Sequence, residues 1–204
     1  LAAGIILAAA LVIITAIFKK NVPPANVNTI YEESENVYGL DGKRQLASFQ
    51  AGKAMSRIRS NFSLSDFEDK NIDFILRELI ENAIEAIAAT HSSGKVRVGV
   101  GNDGRNMIIE IEDNGKGIGS TNVLDKMFTT VASNKGSSGN WGMGLNFILN
   151  DLKQMGFRSI EVDTKAQAEL AHKLVITPMS HKVIDSNRED RGTLVRIIIP
   201  FRSK

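Results

Sequence analysis

The sequence predicts an α+β fold, a two-layer α/β sandwich with helices on one face of a mixed, mostly antiparallel sheet, preceded by an N-terminal transmembrane helix. Three observations predict it. Residues 1–18 carry no charge and are almost entirely apolar. A long helical pattern runs from Ser65 to about Ala89. After it the chain alternates strand patterns with one further amphipathic helix, in the order α, β, β, long loop, α, β, β, β.

Residues 1–18, LAAGIILAAALVIITAIF, end at Lys19-Lys20. As a helix they extend about 27 Å, close to a bilayer core of about 30 Å. A buried globular helix would show a polar face, and a signal peptide would open with basic residues. The stretch is therefore read as a membrane span, with the lysine pair keeping the downstream chain cytoplasmic. Residues 19–64 read as a juxtamembrane linker, with Pro23-Pro24 and the acids Glu32, Glu33 and Glu35, followed by a connecting helix. That helix, KRQLASFQAGKAMSRIRS, is basic and moderately amphipathic; it is expected to be a solvated connecting helix, with packing against a partner or lying near anionic lipid as the alternatives. The chain begins with Leu1 rather than Met, as a fragment or processed product does.

Residues 65–204 read as the globular domain. Ser65 or Asp66 caps its first helix, and the His-Ser-Ser-Gly stretch 91–94 ends it. KVRVGV (95–100) and MIIEIED (107–113) alternate as a hairpin around a Gly-Asn-Asp-Gly turn. Residues 114–144 are rich in Gly, Ser and Asn, with few regular signals. A second helix over about 144–155 carries Leu145, Ile148, Leu149 and Leu152, and RSIEVDT, HKLVITP and GTLVRIIIPF are three more strands.

Composition narrows the function. With 204 residues, 43% hydrophobic and 24% charged, the chain is globular, and a net charge of +2 without a basic stripe argues against a nucleic-acid partner. It has no cysteine, which excludes disulfides and thiolate chemistry. His91, His172 and His181 lack metal-ligand spacing and read as surface or strand residues.

Three segments carry candidate chemistry. In the first helix, Ile72, Ile75, Leu76, Leu79, Ala83 and Ile87 form the buried face, and Glu78, Asn82 and Glu85 form a polar stripe at its rim. Acids and an amide at a core edge suit Mg²⁺, which takes one or two protein oxygens plus substrate phosphates. Next, Asp113 shares a strand face with Met107, Ile109 and Ile111, so it points inward, where an exocyclic amine would satisfy it. Gly115 and Gly117 after it let backbone approach a flat ring. Finally, SNKGSSGNWGMGL (133–145) places glycines before a helix whose free N–H groups suit phosphate, with Ser133 and Lys135 as partners in a mobile lid. Each pattern alone also fits something plainer: an acidic solvent face, a strand end turning outward, a flexible linker.

Taken in order, these residues resemble the GHKL ATPase superfamily of gyrase, heat-shock chaperones, sensor histidine kinases and mismatch-repair proteins, which share the Bergerat fold. ELIENAIEA (78–86) resembles its N box, DNGKGI (113–118) its first glycine box, and GNWGMGL (139–145) its second. MFTT (127–130) resembles the phenylalanine box, and RGTLVRIIIP (191–200) the closing Gly-Thr strand; the likeness covers about residues 66–202. It implies ATP and Mg²⁺ as ligands. Asn82 would hold the metal, Asp113 would accept from the adenine amine, and Thr193 would support Asp113. Gly115 and Gly117 would give the adenine room, while Gly142 and Gly144 would offer N–H groups to phosphate. Ile118, Lys135 and Leu145 complete the nucleotide-binding set, and Glu78 takes the place of a general base.

Within the superfamily the chain is most like the ATP-binding catalytic domain of sensor histidine kinases. The expected function is transfer of the ATP γ-phosphate to a histidine not present in this chain, in a single-pass protein of the cytoplasmic (inner) membrane. A homodimer and a response regulator or phosphoacceptor protein are the implied partners. Two features depart from the kinases: no histidine precedes His91, and Glu85 stands where many carry a basic residue. The alternatives are a membrane-tethered ATPase that drives conformational change or dimerisation, and a non-hydrolysing ATP-sensing module.

Overall fold

A computed structural model of the chain describes residues 27–37, 42–90, 93–129 and 143–203. The membrane-span assignment on residues 1–18 lies outside them. Among the described residues no helix is long and apolar enough to cross a membrane.

In chain order the elements are β1 (Asn28–Val37), α1 (Lys43–Asn61), β2 (Phe62–Ser63), α2 (Asp66–Ala88), β3 (Gly94–Asn102) and β4 (Asn106–Asp113). They continue with α3 (Thr121–Lys126), α4 (Met143–Gln154), β5 (Ser159–Lys165), β6 (His172–Thr177), β7 (Ser180–Asp185), β8 (Gly192–Pro200) and β9 (Arg202–Ser203). Helix α2 starts where its sequence dictates. Ser65 accepts from the Glu68 amide, and the Glu68 carboxylate accepts from the Ser65 amide at 2.8 Å, closing a capping box. Asp66, Glu68 and Asp69 place negative charge at the positive end of the helix. The β3–β4 turn has Gly104 at φ 84°, and Asp103 Oδ1 accepts from the amides of Arg105 at 2.9 Å and Asn106 at 2.7 Å.

The main sheet has seven strands in the order β1-β3-β4-β8-β5-β6-β7. Its pairs are all antiparallel, a correction to the mixed sheet expected. The crossover through α3 and α4 does bring β5 parallel to β4. However, β8 inserts between them and pairs antiparallel with both. Among the described residues helices cover one face, and three rows of side chains cross the sheet beneath them. Two rows are apolar: Val98, Ile111, Val195, Val162, and Val100, Ile109, Ile197, Ile160. The third, at one end of the sheet, is Val96, Asp113, Thr193 and Thr164. That polar row positions the site.

Among the described residues the sheet already includes β1, upstream of residue 65. The stretch expected to be a linker pairs with β3 from Asn28↔Asn102 to Val37↔Gly94. The helix expected in solvent buries Ala47, Gln50, Ala51, Ala54, Met55 and Ile58. It runs antiparallel along α2, tied by Lys43–Glu85 at one end and Arg59–Asp69 at the other. β1 was hidden because its inward side chains are polar. Tyr31 Oη donates to Glu33 at 2.6 Å, Gln50 donates to Glu35 at 3.2 Å, and Lys53 pairs with Glu33, so hydrogen bonds replace the apolar alternation. The small β2–β9 ribbon joins this unit to the end of the chain, with Phe62 and Phe201 packed edge to face at 4.5 Å.

The opposite sheet face carries charge. Arg97 pairs with Glu112 at 2.9 Å and Glu110 at 3.3 Å; Arg196 reaches Glu110 at 2.7 Å, and Lys173 reaches Glu161 at 2.6 Å. These pairs are partly solvated, so each stabilises by no more than about 1 kcal/mol.

Candidate functional site

Where the polar row meets α2, one cavity forms. It is lined by Leu79, Asn82, Ala83 and Ala86 of α2, Ile111 and Asp113 of β4, and Thr193 and Val195 of β8. Met127, Phe128 and Leu145 of α4 complete the wall. Asn146 of α4 donates to the Phe128 carbonyl at 3.2 Å, fastening that wall together. The interior is narrow, with about 30 Å³ for water-sized occupants.

Asp113 is the floor, 6% exposed. Burial pushes its carboxyl up to about 7, against the pull of the Gly115 and Thr193 backbone N–H groups and of Arg188. Its Oδ1 accepts from the Gly115 amide at 2.8 Å. A larger cleft of about 510 Å³ opens behind Asp113 on the charged face, lined by polar and charged residues, with Arg97 and Arg188 committed to Glu110 and Glu112.

The loop after Asp113 is clamped from two sides. A Cβ on Gly115 would lie 2.5 Å from the Ala86 carbonyl carbon and 2.7 Å from the Ile87 nitrogen, so α2 passes directly against it. Gly117 adopts φ 67° and lies against the Lys165 carbonyl at the end of β5. Gly115→Ala should therefore destabilise the chain by about 2 kcal/mol through overpacking against helix backbone. The check is thermal unfolding, with a midpoint lower by about 5 °C; an unchanged midpoint would mean α2 yields freely there.

At the other end of the cavity, the Glu78 carboxylate lies against Gly144 in the first turn of α4. Its pKa is raised, chiefly by burial and then by Glu81 and Glu85, while Arg44 and Lys43 of α1 oppose the shift. The half-buried Asn82 carboxamide makes no hydrogen bond among the described residues. The described residues also contain no group of three His, Asp or Glu able to hold a metal by themselves. A free amide oxygen with no carboxylate cage fits Mg²⁺ carried mainly by substrate phosphates.

The family profile described as histidine kinase-, DNA gyrase B-, and HSP90-like ATPase matches residues 68–203. The chain belongs to this family. Among solved structures, a mycobacterial sensor histidine kinase, MprB, is similar at 18% identity and a TM-score of 0.46, over 84% of this chain and 100% of its own. The N-terminal domain of a DNA repair protein is similar at 18% identity and a TM-score of 0.37, over 79% of this chain and 40% of its own. No curated protein sequence matches. β1, α1 and β2 lie outside the matched span, so this ATPase-family domain carries two strands and a helix in addition to the profile.

The structure of this ATPase-family chain brings Asn82, Asp113, Leu145 and Thr193 to one cavity and sets Glu78 and Gly144 together beside it. Ile118 does not line the cavity; it is 6% exposed in the core and secures the glycine loop. Thr193 pairs with Asp113 across β4 and β8, while its hydroxyl meets Thr164 at 3.2 Å. Ser133, Lys135 and Gly142 lie outside the described residues. His172 and His181 meet Asp185 at 3.7 Å and Asp125 at 3.1 Å, away from the cavity lining. Thr164, which sequence reasoning missed, was findable as a polar residue in phase with Ile160 and Val162 at the end of an inward strand face.

Proposed function

We propose that the chain is the Mg²⁺–ATP-binding catalytic domain of a membrane-bound sensor histidine kinase, passing the γ-phosphate to a histidine on another chain or segment. The observation that supports this most is a cavity with Asp113 at its floor and Asn82 at its rim, with Glu78 beside it against the first turn of α4. Asp113 accepts from the adenine amine, and the Gly115–Gly117 loop leaves room for the ring. The α4 N-terminus turns its free N–H groups to the phosphates. Asn82 and the phosphates hold Mg²⁺, which when bound screens the phosphate charge. Glu78, with its raised proton affinity, takes the proton of the attacking group. Residues 1–18 anchor the chain in the cytoplasmic membrane with the domain on the cytoplasmic side. Two copies associate, and a response regulator or phosphoacceptor protein receives the phosphate.

A second reading, a tethered ATPase, is favoured by the position of Glu78, which can orient water as readily as it can activate a histidine. Incubating the chain with γ-labelled ATP and a supplied acceptor domain separates them. Acid-labile label on protein supports the kinase. Steady phosphate release without labelled protein, lost in Glu78→Gln, supports the ATPase. Nucleotide binding with neither outcome overturns both in favour of a sensing module.

A further inference from the structure

Thr164 occupies the one place where the adenine loop, the closing strand and the floor of the cavity meet. It is fully buried at the end of β5. Its hydroxyl accepts from the Ile118 amide at 2.9 Å and donates to the Gly192 carbonyl at 3.1 Å. With its only hydrogen committed to Gly192, its third contact, the Thr193 hydroxyl at 3.2 Å, must be the donor to it. A hydroxyl has one hydrogen and two lone pairs, and all three are used.

Each partner bears on the recognition of the base. Ile118 ends the glycine loop that begins at Gly115, so its amide anchors the far side of that loop. Gly192, at φ 123°, lies against the Asp113 carbonyl, and the next residue, Thr193, pairs with Asp113 across β4 and β8, where its backbone favours the ionised carboxylate. From these contacts we infer that Thr164 is a positioning residue for adenine, setting the glycine loop and the Asp113 carboxylate in register through one saturated hydroxyl. The inference rests on the nucleotide reading of the cavity.

The residue itself does not line the cavity, so it acts through Asp113 and the loop. Two predictions follow from the hydroxyl rather than the shape. Thr164→Val keeps the volume but removes the hydroxyl's bonds to the buried Ile118 N–H and the Gly192 carbonyl, whereas Thr164→Ser keeps the hydroxyl and loses only the methyl.

The test is calorimetric titration of the full chain and both variants with ATP, ADP and AMP. Thr164→Val should weaken all three nucleotides by the same factor, about tenfold, because the defect is at the adenine end. Turnover at saturating ATP should stay within about twofold, so that KM moves and kcat does not. Thr164→Ser should bind within about twofold of the parent chain. Amide exchange supplies a second measurement that needs no ligand: the Ile118 amide should exchange faster in the valine variant and at the parent rate in the serine variant. Parent-like binding by Thr164→Val, weaker binding by Thr164→Ser than by Thr164→Val, or a loss that grows with phosphate number would overturn the inference. A parent chain that binds no nucleotide would instead remove the nucleotide reading itself, while the exchange result would still report on the hydroxyl.

Discussion

Asp113→Asn is expected to weaken ATP binding by about 100-fold while leaving the chain folded. The substitution keeps the oxygen that accepts from Gly115 at 2.8 Å but turns an amide NH₂ towards the adenine amine, donor against donor. Titration calorimetry with ATP and ADP checks it, and parent-like affinity would sink the adenine assignment. The same carboxyl sets a pH dependence. Its pKa is raised in the folded chain from an ordinary 3.8 to about 7, so folding favours the protonated form. The stability it contributes is present below pH 4 and is lost as pH rises through about 7. Thermal melts of the parent should therefore fall over that window, and those of Asp113→Asn should lack that component. Adenine is a better partner for the ionised form, so ATP binding should tighten as pH rises through 7 and release a proton. Calorimetry in buffers of different ionisation enthalpy reads that proton directly; no buffer dependence would argue against it.

Glu78→Gln should lower turnover by about 100- to 1,000-fold and leave nucleotide affinity within a few-fold. The amide fits the same space against Gly144 but cannot take a proton. Burial raises the pKa of Glu78, so the acid limb of the parent's pH–rate profile should lie above the ordinary carboxylate range. That limb should vanish from the residual rate of the variant. A variant that keeps the parent's rate and limb would remove Glu78 from the chemistry and leave it as a packing partner of α4.

What was legible in the sequence follows from where side-chain pattern and environment coincide. α2 is both capped and amphipathic, and β3, β4, β5, β6 and β8 alternate because one face is apolar, so their boundaries fall within a residue or two of expectation. Asp113 was readable for the same reason: it keeps the phase of Ile109 and Ile111. β1 failed because Tyr31, Glu33 and Glu35 face α1, where Gln50 and Lys53 satisfy them, and no hydrophobic period marks such a strand. α1 failed differently. Half of its buried face is alanine, and alanine carries too little apolar surface to distinguish a packed helix from a solvated one. β7 is exposed along most of its length and α3 spans only Thr121–Lys126, so neither leaves a periodic trace. Thr164 was passed over because threonine is common in strands, and only the register across β4, β8 and β5 shows what its hydroxyl joins.

The charged sheet face adds little to stability, yet it restricts how the chain can misassemble. Side chains alternate across a strand, so a slip of one residue in β3, β4, β8 or β5 would turn Arg97, Glu110, Arg196 or Glu161 under the helices. Each would then be a buried charge without its partner, costing several kcal/mol. Sheets in the wrong register are thereby penalised far more than the correct one is favoured. The same charges make that face a poor surface for another sheet to stack against. Pairs that hardly matter to the folded state thus act mainly on its competitors, deciding which of several similar sheets the chain can become.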